Sequence, residues 1–487
     1  MSQRPTANPG MTASQPPPPS QRWLAMLGVG VGILMVTIDF SIVNVSLPTL
    51  VEELHTNFAT VQWVVLSYVL IITSLMLGAA RLGDIMGMKR LYAGGVAMFT
   101  LGSLLCGLSP SVGWLIGARA FQGLGAVFMQ SLGMAIITQV FPASERGRAL
   151  GLVGGIVSVG LSLGPALGGI IIGALGWRWV FLINVPLGLA AWFTVARFVP
   201  RAEPASRESR FDAGGALILC CALTAYSLGM TLGQRVGFGQ SLVLVLLALA
   251  LASTWLFILV ERRAREPMID LGLFSDPLFG INLVMGLLTF VTLGMTLVLP
   301  FFMELVMGLS TTQTGLLMIV VPLCMGLVSP FSGRLTDRHG PRVISLVGLL
   351  VMAAGCAAMS TVGHSAGMLE LALKNAPIGL GMGIFQSPNN TAIMSAAPPN
   401  RLGVASGLLA LSRTLGTSTG VPLGGALFTA TVLATAGLSS GAQIITAPPD
   451  ALVAGVRFCY VMGTGLALAA AFLSAMAWRI AKRRRIV

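Results

Sequence analysis

At 487 residues, with 55% hydrophobic and 9% charged side chains and a mean hydropathy of +0.87, the chain is too apolar for a soluble domain, where about a quarter of residues carry charge. Its net charge of +13 would point to nucleic acid in a soluble chain; in a polytopic membrane protein it points to basic loops on one side of a bilayer. Six scattered cysteines with no C-x-x-C spacing read as small buried hydrophobes, and three histidines without a second ligand give no metal site, so no metal and no cofactor is expected.

Residues 1–22 are rich in Pro, Ser, Thr and Gln and predict a disordered tail. The apolar run beginning at Trp23 is too long for a cleavable signal. Hydropathy then predicts about fourteen helical spans of bilayer length. Six lie at 23–47, 61–80, 91–109, 113–138, 149–173 and 177–198, two at 213–232 and 240–260, and six at 279–303, 314–332, 343–362, 371–395, 404–433 and 457–478. The organisation expected is an all-α membrane protein with two six-helix halves, residues 23–200 and 279–478. A linker at 201–278 carries the two extra helices, and residues 479–487 form a basic tail.

An even number of spans puts both termini on one side. All but six of the 29 Lys and Arg then fall on the tail side; Arg178, Arg235 and Arg457 lie opposite, and Arg119, Lys374 and Arg413 lie within or at the edge of spans. The bias predicts cytoplasmic termini in a cytoplasmic (inner) membrane.

The loops after the second and tenth spans repeat one another. Ala80-Arg-Leu-Gly-Asp84-Ile-Met-Gly87-Met-Lys89-Arg90 aligns without gaps on Gly333-Arg-Leu-Thr-Asp337-Arg338-His-Gly340-Pro-Arg342. Each offers a tight glycine turn, basic residues and one carboxylate able to cap a helix N-terminus or pair with Arg. Paired membrane repeats with a site between them are a transporter architecture.

The fifth span is crowded with small residues. Gly160, Gly164 and Gly168 form a ladder at i, i+4 spacing, Gly169 adjoins it, and Pro165 removes one backbone donor within it. Such a helix presses closely on a neighbour and bends. The order G-x-x-x-G-P-x-x-G-G, followed by Trp177-Arg178-Trp179-Val180-Phe181-Leu182-Ile183-Asn184-Val185-Pro186, resembles the fifth-helix signature of proton-coupled antiporters of the major facilitator superfamily. Thr37-Ile-Asp39-Phe-Ser41-Ile-Val-Asn44-Val-Ser46-Leu-Pro48 resembles the first-helix signature of the drug:proton antiporter branch, with Ser41 and Ser46 where Thr and Ala are usual. Arg119-Ala-Phe-Gln122-Gly123 matches the R-x-x-Q-G signature of the fourth helix, and the two loops resemble the cytoplasmic loop signature. The first loop departs from it at Ala80, Ile85 and Met88.

With the fourteen-span count, the resemblance is to the fourteen-helix, multidrug efflux type of that branch. It implies two six-helix bundles with alternating access to a central cavity. It also implies export of amphipathic compounds in exchange for protons, with Asp84, Gly87, Lys89, Gly333, Asp337, Arg338 and Gly340 forming loops that close the cytoplasmic side.

Ionisable residues inside a membrane are functional candidates. Asp39 is the expected proton carrier, with a bonded structural carboxylate as the alternative. Arg119 keeps its proton and would bias that acid. Glu304, at the outer end of the ninth span, is the second acid candidate, its alternative being solvation at the interface. Asn44, Gln122, Gln130, Gln386 and Asn389 are expected to line a polar cavity, although cross-helix hydrogen bonds would use the same residues. The partners expected are a small-molecule substrate, protons and the lipid bilayer, with no nucleic acid, around a monomer. A nutrient importer and a non-transporting sensor are the competing readings. No nucleophile–base pair or phosphate loop suggests an enzyme.

Overall fold

The computed structural model describes residues 18–56, 58–200, 211–264, 267–269, 271–364, 366–437 and 447–484. Among these every long element is helical. In chain order the helices are α1 (Pro19–Glu53), α2 (Phe58–Met86), α3 (Met88–Gly107), α4 (Val112–Val140), α5 (Arg146–Leu175), α6 (Arg178–Leu182), α7 (Asn184–Phe198), α8 (Ala213–Val236) and α9 (Ser241–Glu261). They continue as α10 (Pro277–Met295), α11 (Leu299–Leu305), α12 (Thr311–Met318), α13 (Val320–His339), α14 (Pro341–Met359), α15 (Met368–Ala396), α16 (Leu402–Ala436) and α17 (Pro449–Arg484). Most of the expected tail lies outside the described residues, but helix already begins at Pro19, inside the stretch assigned to it. Its basic counterpart at the other terminus is helical as far as Arg484.

Twelve segments among the described residues are long and apolar enough to cross a membrane. The helices α3 and α15 occupy the places of two further expected spans without reaching that standard. The first begins with Lys89 and Arg90. The second carries Glu370 and Lys374 and buries Asn375, Gln386, Asn389 and Asn390 against protein. Three expected spans are broken rather than continuous: α6/α7 at Ile183, α10/α11 at a short 3-10 turn, and α12/α13 at Ile319. Pro186, Pro300 and Pro322 each fall in the first turn of the helix after the break, where a missing N–H costs nothing.

The repeat seen in the two loops extends into three dimensions. After α2, Gly87 turns the chain at φ 95°, and after α13, Gly340 does so at φ 80°; these left-handed values suit glycine. Beyond each turn the next two helices meet at glycines: Gly95 and Gly125 between α3 and α4, Gly348 and Gly381 between α14 and α15. A methyl at any of the four would strike the facing backbone, so the pairs approach at the distance that small residues allow. Apolar cores lie inside each half, around Met35, Tyr92, Phe99 and Met129 in one and Phe302, Met352, Cys356 and Tyr460 in the other. Not every cysteine is a buried hydrophobe as expected: Cys221 is exposed on α8.

The helix α5 joins the halves. Its first turns lie against α13, where Gly147 and Gly151 face Gly333 and Ser329. Its later turns lie against α1, where Gly160 faces Thr37 and Gly164 faces Ser41. Ser41 Oγ donates to the Gly160 carbonyl at 3.2 Å. The expected ladder is therefore used at Gly160 and Gly164; Gly168 is buried, Gly169 is exposed with open space beside it, and the Pro165 side chain lies outside the described residues.

Candidate functional site

Thr37 and Ser41 are one helical turn apart and give one face of α1 to α5. Asp39, two residues on from Thr37 and so about 200° around the helix, faces the other way, into its own half. There it meets α4, whose Arg119 and Gln122 are three apart and share a face. Arg119 Nη1 donates to Asp39 Oδ2 at 2.6 Å, and Gln122 Nε2 donates to Asp39 Oδ1 at 2.9 Å. Asn184, at the start of α7, adds a third bond to Oδ1 at 3.2 Å.

A second layer holds these groups. Arg119 Nη1 also donates to Gln122 Oε1 at 2.5 Å, its Nε donates to the Val64 carbonyl at 3.1 Å, and its guanidinium lies 4.0 Å from the centre of the Tyr68 ring. Gln122 Nε2 also reaches Ser103 Oγ at 2.6 Å, a contact made possible because Gly102 lets α3 close on the Gln122 backbone. Asp39, Arg119, Gln122, Ser103 and Asn184 are all at most 1% exposed. Both charges thus have partners, which is the condition for holding an ion pair out of water; removing one partner from such a pair costs about 3–5 kcal/mol.

Beside this network lies a cavity of about 260 Å³, near the small end of ligand pockets at roughly 300–1,000 Å³. Phe40, Tyr68, Met129 and Phe290 give it apolar and aromatic walls. Its polar points include Gln130, Gln386 and Arg413, drawn from α4, α15 and α16. Tyr68 belongs to both places: one side of its ring covers Arg119 and the ring lines the cavity. Asp39 itself does not line it.

Of the residues expected to line a polar cavity, Gln130 and Gln386 do so. Gln122 instead serves the ion pair, and Asn389 is buried among helices, with Gly286 beside it. The Asn44 side chain lies outside the described residues. Glu304 is exposed on α11 and takes no part in the Asp39 network. Asn184, Ser103 and Tyr68 were not foreseen as site residues. Asn184 stands within the Trp177–Pro186 run that carries the resemblance, but its partner is 145 residues away and only the fold brings them together.

The two repeated loops hold the end of the molecule where the basic residues gather. Asp337, near the end of α13, accepts from the Gly147 and Arg148 amides at 2.7 and 2.8 Å, at the start of α5. Asp84, near the end of α2, accepts from the Gly403 and Val404 amides at 2.7 and 3.0 Å, at the start of α16. Each carboxylate caps the free N–H groups and positive dipole end of a helix in the opposite half. Arg338 is exposed, Gly333 packs against Gly147, and Lys89 stands in the first turn of α3.

The family model described as "Major Facilitator Superfamily" matches residues 29–421. The chain is 32% identical over 398 residues to the riboflavin transporter RibZ of Clostridioides difficile (strain 630), covering 81% of this chain and 86% of that protein. It is 34% identical over 414 residues to the multidrug resistance protein Stp of Mycobacterium tuberculosis (strain ATCC 25618 / H37Rv), covering 85% and 77%. It is 31% identical over 411 residues to the tetracenomycin C resistance and export protein of Streptomyces glaucescens, covering 84% and 76%. Among solved structures, the human organic anion transporter MFSD10 (TETRAN) superposes with a TM-score of 0.66 at 17% identity, over 94% of this chain and 100% of that one.

Proposed function

The chain belongs to the major facilitator superfamily and is a multi-pass membrane protein, and on that premise we propose that it is a proton-coupled antiporter exporting amphipathic small molecules from the cytoplasm. Within the family we assign it to the fourteen-helix drug:proton branch, with α3 and α15 crossing the membrane beside the twelve more apolar segments. Its halves are residues 23–200 and 279–478, the pair α8–α9 is the insert, and both termini face the cytoplasm of the inner membrane. Relatives named for multidrug resistance and for tetracenomycin C export support the direction. The relative named as a riboflavin transporter favours a narrower version, one aromatic metabolite in place of a range of drugs.

The observation that carries the reading is the buried Asp39–Arg119 pair set one side chain behind an apolar cavity. Arg119 holds its proton, so Asp39 is the group that can load and release one. Protonating Asp39 removes the charge that Arg119 balances, and the guanidinium must then find other acceptors or shift. Tyr68 stacks on that guanidinium and lines the cavity, so the shift reaches the place where a substrate sits. Competition between proton and substrate is therefore indirect, through Tyr68 and α1. The same α1 rests on Gly160 and Gly164 of α5, and the start of α5 is held by Asp337 of the other half. Movement at Asp39 thus has a continuous path to the latch at the cytoplasmic end, which is closed here.

The test uses inside-out vesicles with an acid lumen and a luminal pH dye. Adding an exported compound should make the lumen more alkaline, and Asp39→Asn should abolish that response while keeping passive counterflow. A wild-type proton response in Asp39→Asn would remove Asp39 from the mechanism. Acidification of the lumen by the compound would mean that protons travel with it, and would replace antiport by symport.

A further inference from the structure

The two membrane arginines, one in each half, are treated differently. Arg119 is fully enclosed, bonded to a carboxylate, an amide and a backbone carbonyl, and covered by Tyr68. Arg413, on α16, donates to one protein acceptor only, Asn390 Oδ1 at 2.7 Å. Its guanidinium also lies 5.8 Å from the Phe290 ring centre. No Asp or Glu among the described residues pairs with it, and it is the one charged residue lining the central cavity. A guanidinium has five N–H donors, so most of its hydrogen-bonding capacity has no protein acceptor among the described residues.

The surrounding polar groups do not supply the missing acceptor. Thr414 and Thr417 hydroxyls donate back to their own helix. The Asn390 amide nitrogen finds no partner, and neither does the Gln386 oxygen of the cavity wall, so the wall offers Arg413 a neutral acceptor at most and no anionic one. An unpaired charge at membrane depth is expensive. A cavity that retains one has a use for it.

We propose that Arg413 selects anionic substrates: aromatic or otherwise amphipathic molecules with a carboxylate or similar acid group, whose apolar body rests on Phe40, Tyr68 and Phe290. This rests on the reading of the cavity as the transport site and narrows it. A cationic compound meets the uncompensated charge of Arg413 and no carboxylate in the wall. The volume, about 260 Å³, suits a body of two or three rings.

Three probes of nearly equal shape separate charge from fit: 2-naphthoate, 2-naphthamide and 2-naphthylmethylammonium. Their equilibrium binding is measured on the full-length protein in phosphatidylcholine nanodiscs. The naphthoate should bind about tenfold tighter than the amide, as a charge-assisted bond to guanidinium provides, and the ammonium more weakly than either. Arg413→Gln should bring naphthoate to the level of the amide, and Arg413→Lys should restore part of the preference. Gln130→Glu, which places a carboxylate in the wall, should raise the affinity for the ammonium. Equal or tighter binding of the ammonium by the wild type, an anion preference that survives Arg413→Gln, or binding of none of the three by folded protein would each overturn the proposal. Binding of naphthoate without outward transport would instead overturn the export reading and leave this one standing.

Discussion

Asp84 and Asp337 make the same bond in opposite surroundings. Each accepts from two successive amides at the start of a helix from the other half. Asp84 is 5% exposed, and the adjacent Arg81 is 4% exposed. Glu261, at the end of α9, is also buried there and accepts from the Ile269 amide. Asp337 is only half-buried, and its neighbour Arg334 is exposed. The difference is the pair α8–α9: α8 packs beside α2, and among the described residues no equivalent covers α13. A buried charged hydrogen bond costs more to break than the same bond in contact with water, because its donors are left with no water to replace the acceptor. One latch is therefore the stronger, although its sequence departs further from the family pattern.

The departure at Ala80 shows how the pattern is accommodated. Gly333, its counterpart, lies against Gly147 and Gly151 of α5. Ala80 lies against Gly403 and Gly407 of α16. The facing helix presents glycines in both copies, so the added methyl of Ala80 occupies space that Gly407 leaves. Close approach needs one small partner on each side, and alanine still serves.

The comparison can be broken in graded steps. Asp84→Asn should have the largest effect, weakening the closed state by about 2–3 kcal/mol, because it replaces a buried ionic acceptor. Labelling of a Thr417→Cys cavity cysteine by a membrane-impermeant reagent added from the cytoplasmic side would rise accordingly. Asp337→Asn should shift the same labelling by about 1–1.5 kcal/mol, since water replaces part of what is lost. Equal effects from the two would mean that the insert gives the first latch no added strength. Ala80→Gly should matter least to the latch and leave the labelling nearly unchanged; its cost by thermal unfolding in detergent, about 1–2 kcal/mol, is that of one buried methyl and of glycine inside α2. A rise in labelling as large as that of Asp84→Asn would make the Ala80 contact, and not the Asp84 carboxylate, the main tie at that latch.

Much of this was legible in the sequence, for reasons of locality. The loop repeat, the glycine turns and the small-residue ladder are each set by residues within one or two turns, so spacing reveals them. Asp39 and Arg119 stood out because charge is rare in apolar spans. What the sequence did not disclose depends on distant partners. The Asp84 and Asp337 carboxylates were recognisable as caps, but the helices they cap begin hundreds of positions away, in the other half. Gln122 looked like a cavity residue because an amide at that depth needs partners, and the sequence does not say whether those come from protein or ligand. The folded answer is Asp39, Ser103 and Arg119. Glu304 had the residue type of a site acid but is exposed on the short helix α11, whose Leu299, Phe302 and Met303 take the buried face. The polarity of α15 likewise reflects amides buried against protein, which a scale built on lipid contact misjudges.

The unequal treatment of the two arginines has an electrical consequence. While Asp39 is ionised it cancels Arg119, so rearranging the helices around the pair moves no net charge through the membrane field; once Asp39 is protonated, the charge of Arg119 moves too. Arg413 leaves the empty cavity with one uncompensated positive charge. A full unit charge crossing the field is worth about 2.3 kcal/mol per 100 mV. On the export reading proposed above, a voltage negative inside would draw that charge toward the cytoplasm and so favour the state open to it. An anion bound at Arg413 would cancel that charge, so the outward step would not work against the voltage, and the membrane potential would act as a return spring for the proton-loaded protein.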